Sequence, residues 1–101
     1  MNINQWIEYY HDKSGDLFAV DLDSPMEFSE EHGFCQYNVV DEYLVLSCVC
    51  GDGKYWDAWA INKARELGLQ KILFMTYRNP AAWERKHGYK VCGYVMSKEV
   101  V

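Results

Sequence analysis

The sequence lacks a hydrophobic run long enough to cross a membrane. The longest mostly apolar run, residues 43–50, is far shorter than the ~18 residues that a membrane-spanning helix needs. The first residues of the chain also lack the basic end and the apolar stretch of a secretion signal. We therefore expect a cytoplasmic protein that makes no membrane contact.

Basic residues are nearly missing from the first half of the chain. Residues 1–53 carry eleven acidic side chains and a single base, Lys13, whereas residues 54–101 carry nine bases and four acids. The formal net charge of -5 therefore hides an acidic half and a basic half. Because the acidic half repels phosphates and the bases of the other half are few, nucleic acid is not expected as a partner.

The four cysteines lack the spacing of a zinc module. Cys48 and Cys50 stand one residue apart, and Cys35 and Cys92 are isolated in the sequence. Zinc modules pair their ligands with gaps of about two to four residues, so no metal site is expected. In a cytoplasmic protein the cysteines are expected to be reduced thiols.

Composition argues against disorder, and length argues against several domains. Half of the residues are hydrophobic and 16% are aromatic, so the chain can bury a core. A length of 101 residues allows one core, and no repeat, linker or low-complexity tract divides it. The sequence therefore predicts a single domain over residues 1–101.

Helical and strand-like periodicities alternate along the chain. Apolar residues three and four positions apart predict helices, and extended apolar or alternating runs predict strands. The segments 34–39 and 42–50 are separated by a short turn at Asp41, which predicts an antiparallel hairpin. The elements together indicate an α/β (α+β) fold with a mixed, mostly antiparallel sheet flanked by helices. The predicted helices are 3–12, 54–67 and 80–87, and the predicted strands are 16–22, 34–39, 42–50, 71–76 and 89–96.

A further helix is predicted at residues 24–33 from its local sequence. Ser24 can cap the helix, Pro25 suits the first helical position, and Glu27 completes a capping box. Gly33 can adopt the left-handed conformation that closes a helix. These signals predict a helix between the strand 16–22 and the hairpin.

Two glycines connect the second hairpin strand to the following helix. Gly51 and Gly53 let the backbone approach a ligand closely, and the N–H groups of the first helical turn point at whatever binds there. Such a turn can cradle a phosphate group. A Gly-x-Gly sequence between a strand and a helix is, however, more often only a tight turn.

The context of this turn resembles a known family. Residues 48–53 (Cys-Val-Cys-Gly-Asp-Gly) fall where the GNAT superfamily of N-acetyltransferases carries its acyl-CoA loop, (Gln or Arg)-x-x-Gly-x-(Gly or Ala). Residues 64–68 and 71–75 resemble that family's next helix and strand, and residues 79–89 resemble its closing motif, Asn…Ala…Tyr-Glu-Lys-x-Gly-Phe. The resemblance covers about residues 34–97. The chain looks most like the short, divergent members found in phages and prophages.

The resemblance implies an acetyl-CoA-dependent N-acetyltransferase with a GNAT-like sheet. Pantetheine would lie between the strands 42–50 and 71–76, and an unidentified amine would attack the thioester directly. Asn79 would lie near the cofactor arm. The loop residues implied to hold the CoA pyrophosphate through their backbone amides are Cys50, Gly51, Asp52, Gly53 and Lys54.

Three departures from the family pattern favour an alternative function. Cys48 replaces the usual Gln or Arg, and Asp52 places a negative charge beside the implied pyrophosphate. Trp83 falls near the place where the family often carries a tyrosine that protonates the leaving thiolate, and indole cannot make that proton transfer. Tyr77 is then the candidate general acid, although an ordinary tyrosine at a strand end is the simpler interpretation. The alternative is a degenerate, non-catalytic GNAT-like interaction module, for which a homodimer is one possible form.

Other conspicuous side chains have simple structural interpretations. Trp56 and Trp59 stand at helical spacing and are expected in the core. Cys48 and Cys50 lie on one face of their strand without an assignable base to generate a thiolate, so they are also expected in the core. His87 precedes a helix-ending glycine, where a partly cationic side chain complements the helix dipole.

Overall fold

The computed structural model describes residues 1–14, 24–76, 79–94 and 96–100. Over these ranges the chain forms a mixed α+β fold, as predicted. The predicted strand at 16–22 and the candidate general acid Tyr77 lie outside the described residues. The elements are α1 (Ile3–Ser14), β1 (Met26–Ser29), β2 (Gly33–Val40), β3 (Tyr43–Gly51), α2 (Gly53–Leu67), β4 (Lys71–Phe74) and α3 (Ala81–His87).

The strands form a four-stranded sheet in the order β1-β2-β3-β4. β1 pairs with β2, and β2 with β3, in antiparallel orientation, so the predicted hairpin is confirmed. β4 pairs with β3 in parallel orientation, because α2 carries the chain back along the sheet before β4 begins. The sheet is therefore mixed and mostly antiparallel, as the sequence predicts.

A β-bulge divides β3 into two parts. Gln36 of β2 is opposite Cys48, and the next residue, Tyr37, is opposite Leu46, so Ser47 is the extra residue on β3. An extra residue reverses which side chains face each side of the sheet beyond it. Leu46 accordingly packs in the cluster against α2, whereas Cys48 packs in the cluster that includes Tyr10 of α1.

α2 covers one face of the sheet through the apolar stripe that its sequence predicts. Trp56, Ala60 and Ala64 are buried against the sheet, and Trp59 packs half-buried against Tyr37 with ring centroids 5.1 Å apart. Leu67, the last residue of the predicted stripe, is 45% exposed, because the helix ends there. The core placement of both tryptophans is confirmed.

α1 covers the opposite face of the sheet. Tyr10 belongs to the apolar cluster on this face, and Ile3 and Ile7 pack against that cluster. The Tyr10 ring meets Phe34 edge-on, with ring centroids 5.8 Å apart. The predicted helix at 3–12 is therefore confirmed and extends to Ser14. None of the helices that the structure describes is long and apolar enough to span a bilayer.

The predicted helix at 24–33 is wrong, because these residues form β1 and a turn. Met26 lies opposite Gln36 in the antiparallel ladder, and Tyr37 N donates a hydrogen bond to Pro25 O at 3.1 Å. Ser24 precedes a proline, which favours extended backbone at that residue. Sheet pairing with β2 outweighs the local capping signals, since Met26 also joins the cluster beneath α1.

The carboxyl-terminal helix is confirmed, whereas the strand predicted after it is not. α3 ends at Gly88, whose φ is 73°, and Tyr89 N donates to Trp83 O at 3.4 Å. This turn directs Tyr89 back onto α2 and α3 rather than along the sheet. No strand is present over 88–94 or 96–100, and Tyr94 is 90% exposed.

Candidate functional site

The pairing between β3 and β4 ends in the middle of β3. The parallel ladder ends at Leu46 and Phe74, and one further hydrogen bond joins Met75 N to Leu46 O at 3.0 Å. β3 continues from the bulge at Ser47 to Gly51 while remaining paired with β2 on its other side. β4 ends at Phe74 while β3 continues to Gly51, so beyond this point β3 is not paired with β4, and we call the resulting opening the wedge.

A cavity of about 700 Å³ lies at this opening. One wall is the end of β3 with the turn into α2, and the opposite wall is the end of β4 with α3. α1 contributes a third wall through Tyr9, Tyr10 and Lys13. The other lining residues are Val49, Cys50, Gly51, Asp52, Gly53, Lys54, Phe74, Met75, Thr76, Ala82, Trp83, Lys86 and His87.

All five loop residues singled out by sequence line this cavity. Cys50, Gly51, Asp52, Gly53 and Lys54 follow one another along one wall. Asn79 is outside the described lining, and its Oδ1 accepts a hydrogen bond from Ala81 N at 3.0 Å at the start of α3. Tyr77 lies outside the described residues. A cofactor contact by Asn79 therefore stays a prediction.

The turn at the end of β3 is shaped by two opposed glycines. Gly33 and Gly51 are paired across β2 and β3 with φ values of 102° and 103°. A Cβ on Gly33 would lie 2.0 Å from Cys50 O, and a Cβ on Gly51 would lie 2.2 Å from His32 O. Only glycine fits either position, because both the backbone angle and the space exclude a side chain.

Asp52 is the N-cap of α2, a role that the sequence analysis missed. Its Oδ1 accepts a hydrogen bond from Tyr55 N at 3.3 Å, and its Oδ2 lies 3.3 Å from His32 Nδ1. The His32 ring stacks on the Tyr55 ring at 3.9 Å. The carboxylate is therefore engaged by a helix amide and an imidazole, which partly offsets its repulsion of an anion in the cavity.

Three lysines surround the cavity from three different elements. Lys13 comes from α1, Lys54 from the first turn of α2 and Lys86 from α3. Lys13 is the only basic residue among residues 1–53, so the single base of the acidic half is brought to this wall. Within the described lining, Asp52 is the one carboxylate, and the local charge favours an anionic ligand.

α3 packs directly against the amino-terminal end of α2. A Cβ added to Gly53 would lie 3.3 Å from the Trp83 ring and 4.0 Å from His87 Nε2. The Trp83 ring also packs on Phe74, with centroids 4.3 Å apart. Trp83 therefore fills a structural position between β4 and α2, and its indole N–H is far too weak an acid to serve in acid–base catalysis.

His87 belongs to a polar cluster beside this contact. Its Nδ1 lies 3.5 Å from Asp57 Oδ2, and Tyr89 Oη donates a hydrogen bond to Asp57 Oδ1 at 2.9 Å. The side chains of His87 and Asp57 are only 16% and 15% exposed. Burial, followed by the hydrogen bond to Asp57, raises the pKa of Tyr89. No local pattern links residues so far apart in sequence, so this cluster could not be read from spacing.

The three strand cysteines are buried, as expected for Cys48 and Cys50. Cys35, Cys48 and Cys50 are buried, and Cys50 Sγ lies 3.6 Å from Trp6 O beneath α1. Burial raises the pKa of Cys35 to about 12, which removes any thiolate character near neutral pH. Among the described residues no group of three histidine, cysteine or acidic side chains is arranged to hold a metal ion.

Comparisons with known proteins leave the cavity as the guide to function. No family model, curated protein or solved structure matches the chain.

Proposed function

We propose that the chain is a GNAT-like N-acetyltransferase and that the cavity binds acetyl-CoA. The opening of β3 from β4 beyond Leu46 and Phe74 carries the proposal, because it leads directly onto the turn into α2. An extended thioester ligand can enter such a wedge with its polyanionic end at the turn. The resemblance of residues 48–53 to an acyl-CoA loop agrees with this placement.

The backbone of β3 beyond the bulge suits the pantetheine arm. Residues 48–51 are hydrogen-bonded to β2 on one side, and the ladder to β4 has already ended. The amide groups of pantetheine can pair with such a strand edge as an added strand would. Val49 and Met75 provide apolar surface on the two sides of the wedge.

The turn and the lysines suit the phosphates. The first N–H groups of a helix have no carbonyl partner within it, so those of Gly53 and Lys54 can donate to a pyrophosphate. The lysine side chains from three elements then supply the positive charge. Tyr55 N is already used by Asp52 Oδ1, and Asp52 N donates to His32 O at 2.9 Å, so the predicted role of the Asp52 amide as a phosphate donor is wrong. The amides of Gly53 and Lys54 are left as the donors.

The proposed reaction needs no covalent enzyme intermediate. The amine nitrogen attacks the thioester carbonyl carbon, a C–N bond forms, the C–S bond breaks, and the amine loses one proton as CoA leaves as the thiolate. The chain contributes mainly by holding the thioester in place against the acceptor. Tyr77 remains the proposed donor of the proton to the thiolate, since Trp83 lacks an exchangeable acid group.

The experiment is titration with CoA and acetyl-CoA, followed by calorimetry and by thermal shift. We expect both ligands to bind and to raise the melting temperature. Gly53→Trp should abolish binding, because the new indole would occupy the cavity wall beside Trp83. Gly93→Trp is the matched control, since Gly93 lies outside the lining and a Cβ there meets nothing within 4 Å. Failure of the parent chain to bind either ligand would refute the proposal.

A second candidate is a non-catalytic interaction module with the same CoA-like cavity. It is favoured by the engagement of Asp52 as a helix cap and by the packed, inert Trp83. Assay of acetyl transfer to a panel of amines separates the candidates: CoA binding without transfer supports the module, and transfer that Gly53→Trp abolishes excludes it. Sedimentation analysis of the same samples tests whether the chain forms a homodimer.

A further inference from the structure

The cluster of Asp57, His87 and Tyr89 assigns a role to the only histidine in the described cavity lining. His87 Nδ1 faces Asp57, whereas its Nε2 lies 4.0 Å from the position of a Cβ on Gly53. One ring nitrogen is thus directed to a carboxylate and the other to the turn proposed to hold the phosphates. We propose that His87 binds a phosphate oxygen of the cofactor as an imidazolium positioned by Asp57, so that cofactor binding takes up a proton. This inference rests on the proposed function.

The geometry of the ring explains the proton uptake. Asp57 Oδ2 lies 3.5 Å from Nδ1 and favours a hydrogen on that nitrogen, so a neutral His87 presents the lone pair of Nε2 to the turn. A lone pair repels a phosphate oxygen, whereas the Nε2–H of the imidazolium donates to it. Binding of the anion at this position therefore requires both ring nitrogens to carry hydrogen.

Asp57 is held in place for this task by a second donor. Tyr89 Oη donates to the Asp57 oxygen that His87 does not contact, at 2.9 Å. The pair of contacts fixes the carboxylate plane and keeps one oxygen toward the imidazole. Asp57 and Tyr89 are therefore positioning residues, and His87 is the group that touches the ligand.

Other charged and titratable groups face the same cavity and also contribute to the binding of an anion. Lysines approach from three elements, and Asp52 lies at the turn with its carboxylate toward His32. The lysines add positive charge to the cavity and so favour an anionic ligand. The groups that face the cavity or the imidazole are Tyr9, Tyr10, Lys13, Asp52, Lys54, Asp57, Lys86 and Tyr89.

The sign of the effect follows from linkage. An imidazolium that contacts phosphate is stabilised in the complex, so affinity for CoA is highest at low pH and falls as the pH rises through the histidine range. One coupled proton changes the affinity by at most about tenfold per pH unit. The terminal phosphate of CoA titrates in the same range, so the informative quantity is the difference between the parent chain and a His87 variant.

The experiment is calorimetric titration of the folded chain with CoA between about pH 6 and pH 8, in two buffers with different ionisation enthalpies. We expect the parent chain to take up more protons than His87→Gln and to lose affinity more steeply as the pH rises. His11→Gln is the matched control, because His11 is exposed on α1 and outside the cavity lining. It should behave as the parent chain does.

Asp57→Asn tests the positioning role. An amide can still accept from Tyr89 Oη, but it cannot stabilise an imidazolium by charge. The extra proton uptake should therefore shrink toward that of His87→Gln while the thermal midpoint without ligand shows that the variant is folded. The ¹⁵N shifts of the His87 imidazole give a readout without ligand, since Asp57→Asn should change which nitrogen carries hydrogen.

The outcomes separate the two proposals. If CoA binds to the parent chain and His87→Gln takes up the same number of protons, this inference is overturned and the proposed function stands. If the parent chain binds neither CoA nor acetyl-CoA, both proposals fail. Equal proton uptake by Asp57→Asn and the parent chain would remove Asp57 from the proposed role and leave His87 in it.

Discussion

The two halves of β3 differ in their pairing and burial. From Tyr43 to Leu46 the strand is hydrogen-bonded on both sides, and Leu44 and Leu46 are completely buried against α2. From Cys48 to Gly51 it is paired with β2 alone within the described sheet, and its other edge faces the cavity. One strand thus supplies both the most closed part of the core and the most open part of the sheet.

This difference comes from one extra residue. Ser47 reverses the faces of the side chains that follow it, so the second half of β3 packs its small cysteines under α1, and this half is not paired with β4. Because these side chains are small, their truncation should lower the free energy of unfolding less than truncation of Leu44 or Leu46 would. The bulge therefore separates a half that stabilises the molecule from a half that is available for binding.

The largest expected loss of stability comes from adding a side chain at Gly51, the last residue of β3. Gly51→Ala should lower the free energy of unfolding by at least about 3 kcal/mol, because the Cβ meets His32 O and the backbone angle is strained. Gly68→Ala has a positive φ but an open surrounding, so it should cost only about 1 kcal/mol. Urea denaturation of both variants measures the difference. Equal losses would mean that the contact with His32 does not constrain the turn.

Truncation on either side of the bulge tests the comparison directly. Leu46→Ala should lower the free energy of unfolding by about 3 kcal/mol, since the side chain is completely buried among Trp56 and its neighbours. Cys48→Ala removes a single sulfur atom from the other face and should cost about 1 kcal/mol. Chemical denaturation provides both values. A larger loss for Cys48→Ala would reverse the proposed roles of the two halves.

Alkaline pH should weaken the packing around Cys35, which lies opposite Val49 in the second half of β3. The pKa of Cys35 is raised from 9.0 to about 12, mainly by burial. Its contribution to stability is full below the unfolded-state pKa and is lost as the pH rises toward the folded-state value. The loss is at most about 1.4 kcal/mol per pH unit. Cys35→Ala should show a flatter stability profile from about pH 9 to 11, and a slope identical to that of the parent chain would exclude this linkage.

The smallest expected effect is a change of charge at the cavity. Asp52→Asn keeps a good N-cap for α2 and removes the one carboxylate of the described lining. Affinity for CoA should rise by about threefold at low salt, because repulsion of the phosphates is removed. The gain should diminish as salt is added, and CoA binding by the parent chain should also weaken. Binding by either chain that is indifferent to salt would show that these charges do not act on the ligand.

Local signals in the sequence were sufficient where packing agreed with them. The stripe of Trp56, Ala60 and Ala64 predicts α2, and Gly68 ends it with a φ of 70°. The hairpin of β2 and β3 also follows from its strand-like runs and its short turn. In these elements the local preference and the buried face lead to the same structure.

Sequence reasoning failed where distant contacts decided the structure. Residues 24–33 carry helix-capping signals, yet pairing with β2 makes Met26 part of a strand. The strand predicted at 89–96 fails because Tyr89 is held by Asp57, a contact that no local pattern reveals. The placement of the charges was also hidden from the sequence, since Lys13 and Lys86 line the same cavity only through the packing of α1 and α3.

The site was predicted in part. The five residues of the turn from Cys50 to Lys54 were identified from the glycines and their context, and the structure places them along one wall of the cavity. The bulge at Ser47 and the cluster around His87 were missed, because both depend on register and tertiary packing. The role of Tyr77 and the contact of Asn79 with a cofactor remain predictions.

The distribution of thiols makes local opening of the two sheet faces measurable. Cys92 is exposed, whereas Cys35 is enclosed under α2 and Cys48 and Cys50 are enclosed under α1. A thiol reagent should therefore label the folded chain at once on Cys92 and reach Cys35 and Cys48 only when a helix lifts from the sheet. The order in which they are modified would report which helix detaches first. The cysteines of the sequence thus serve as probes of local opening on each face of the sheet.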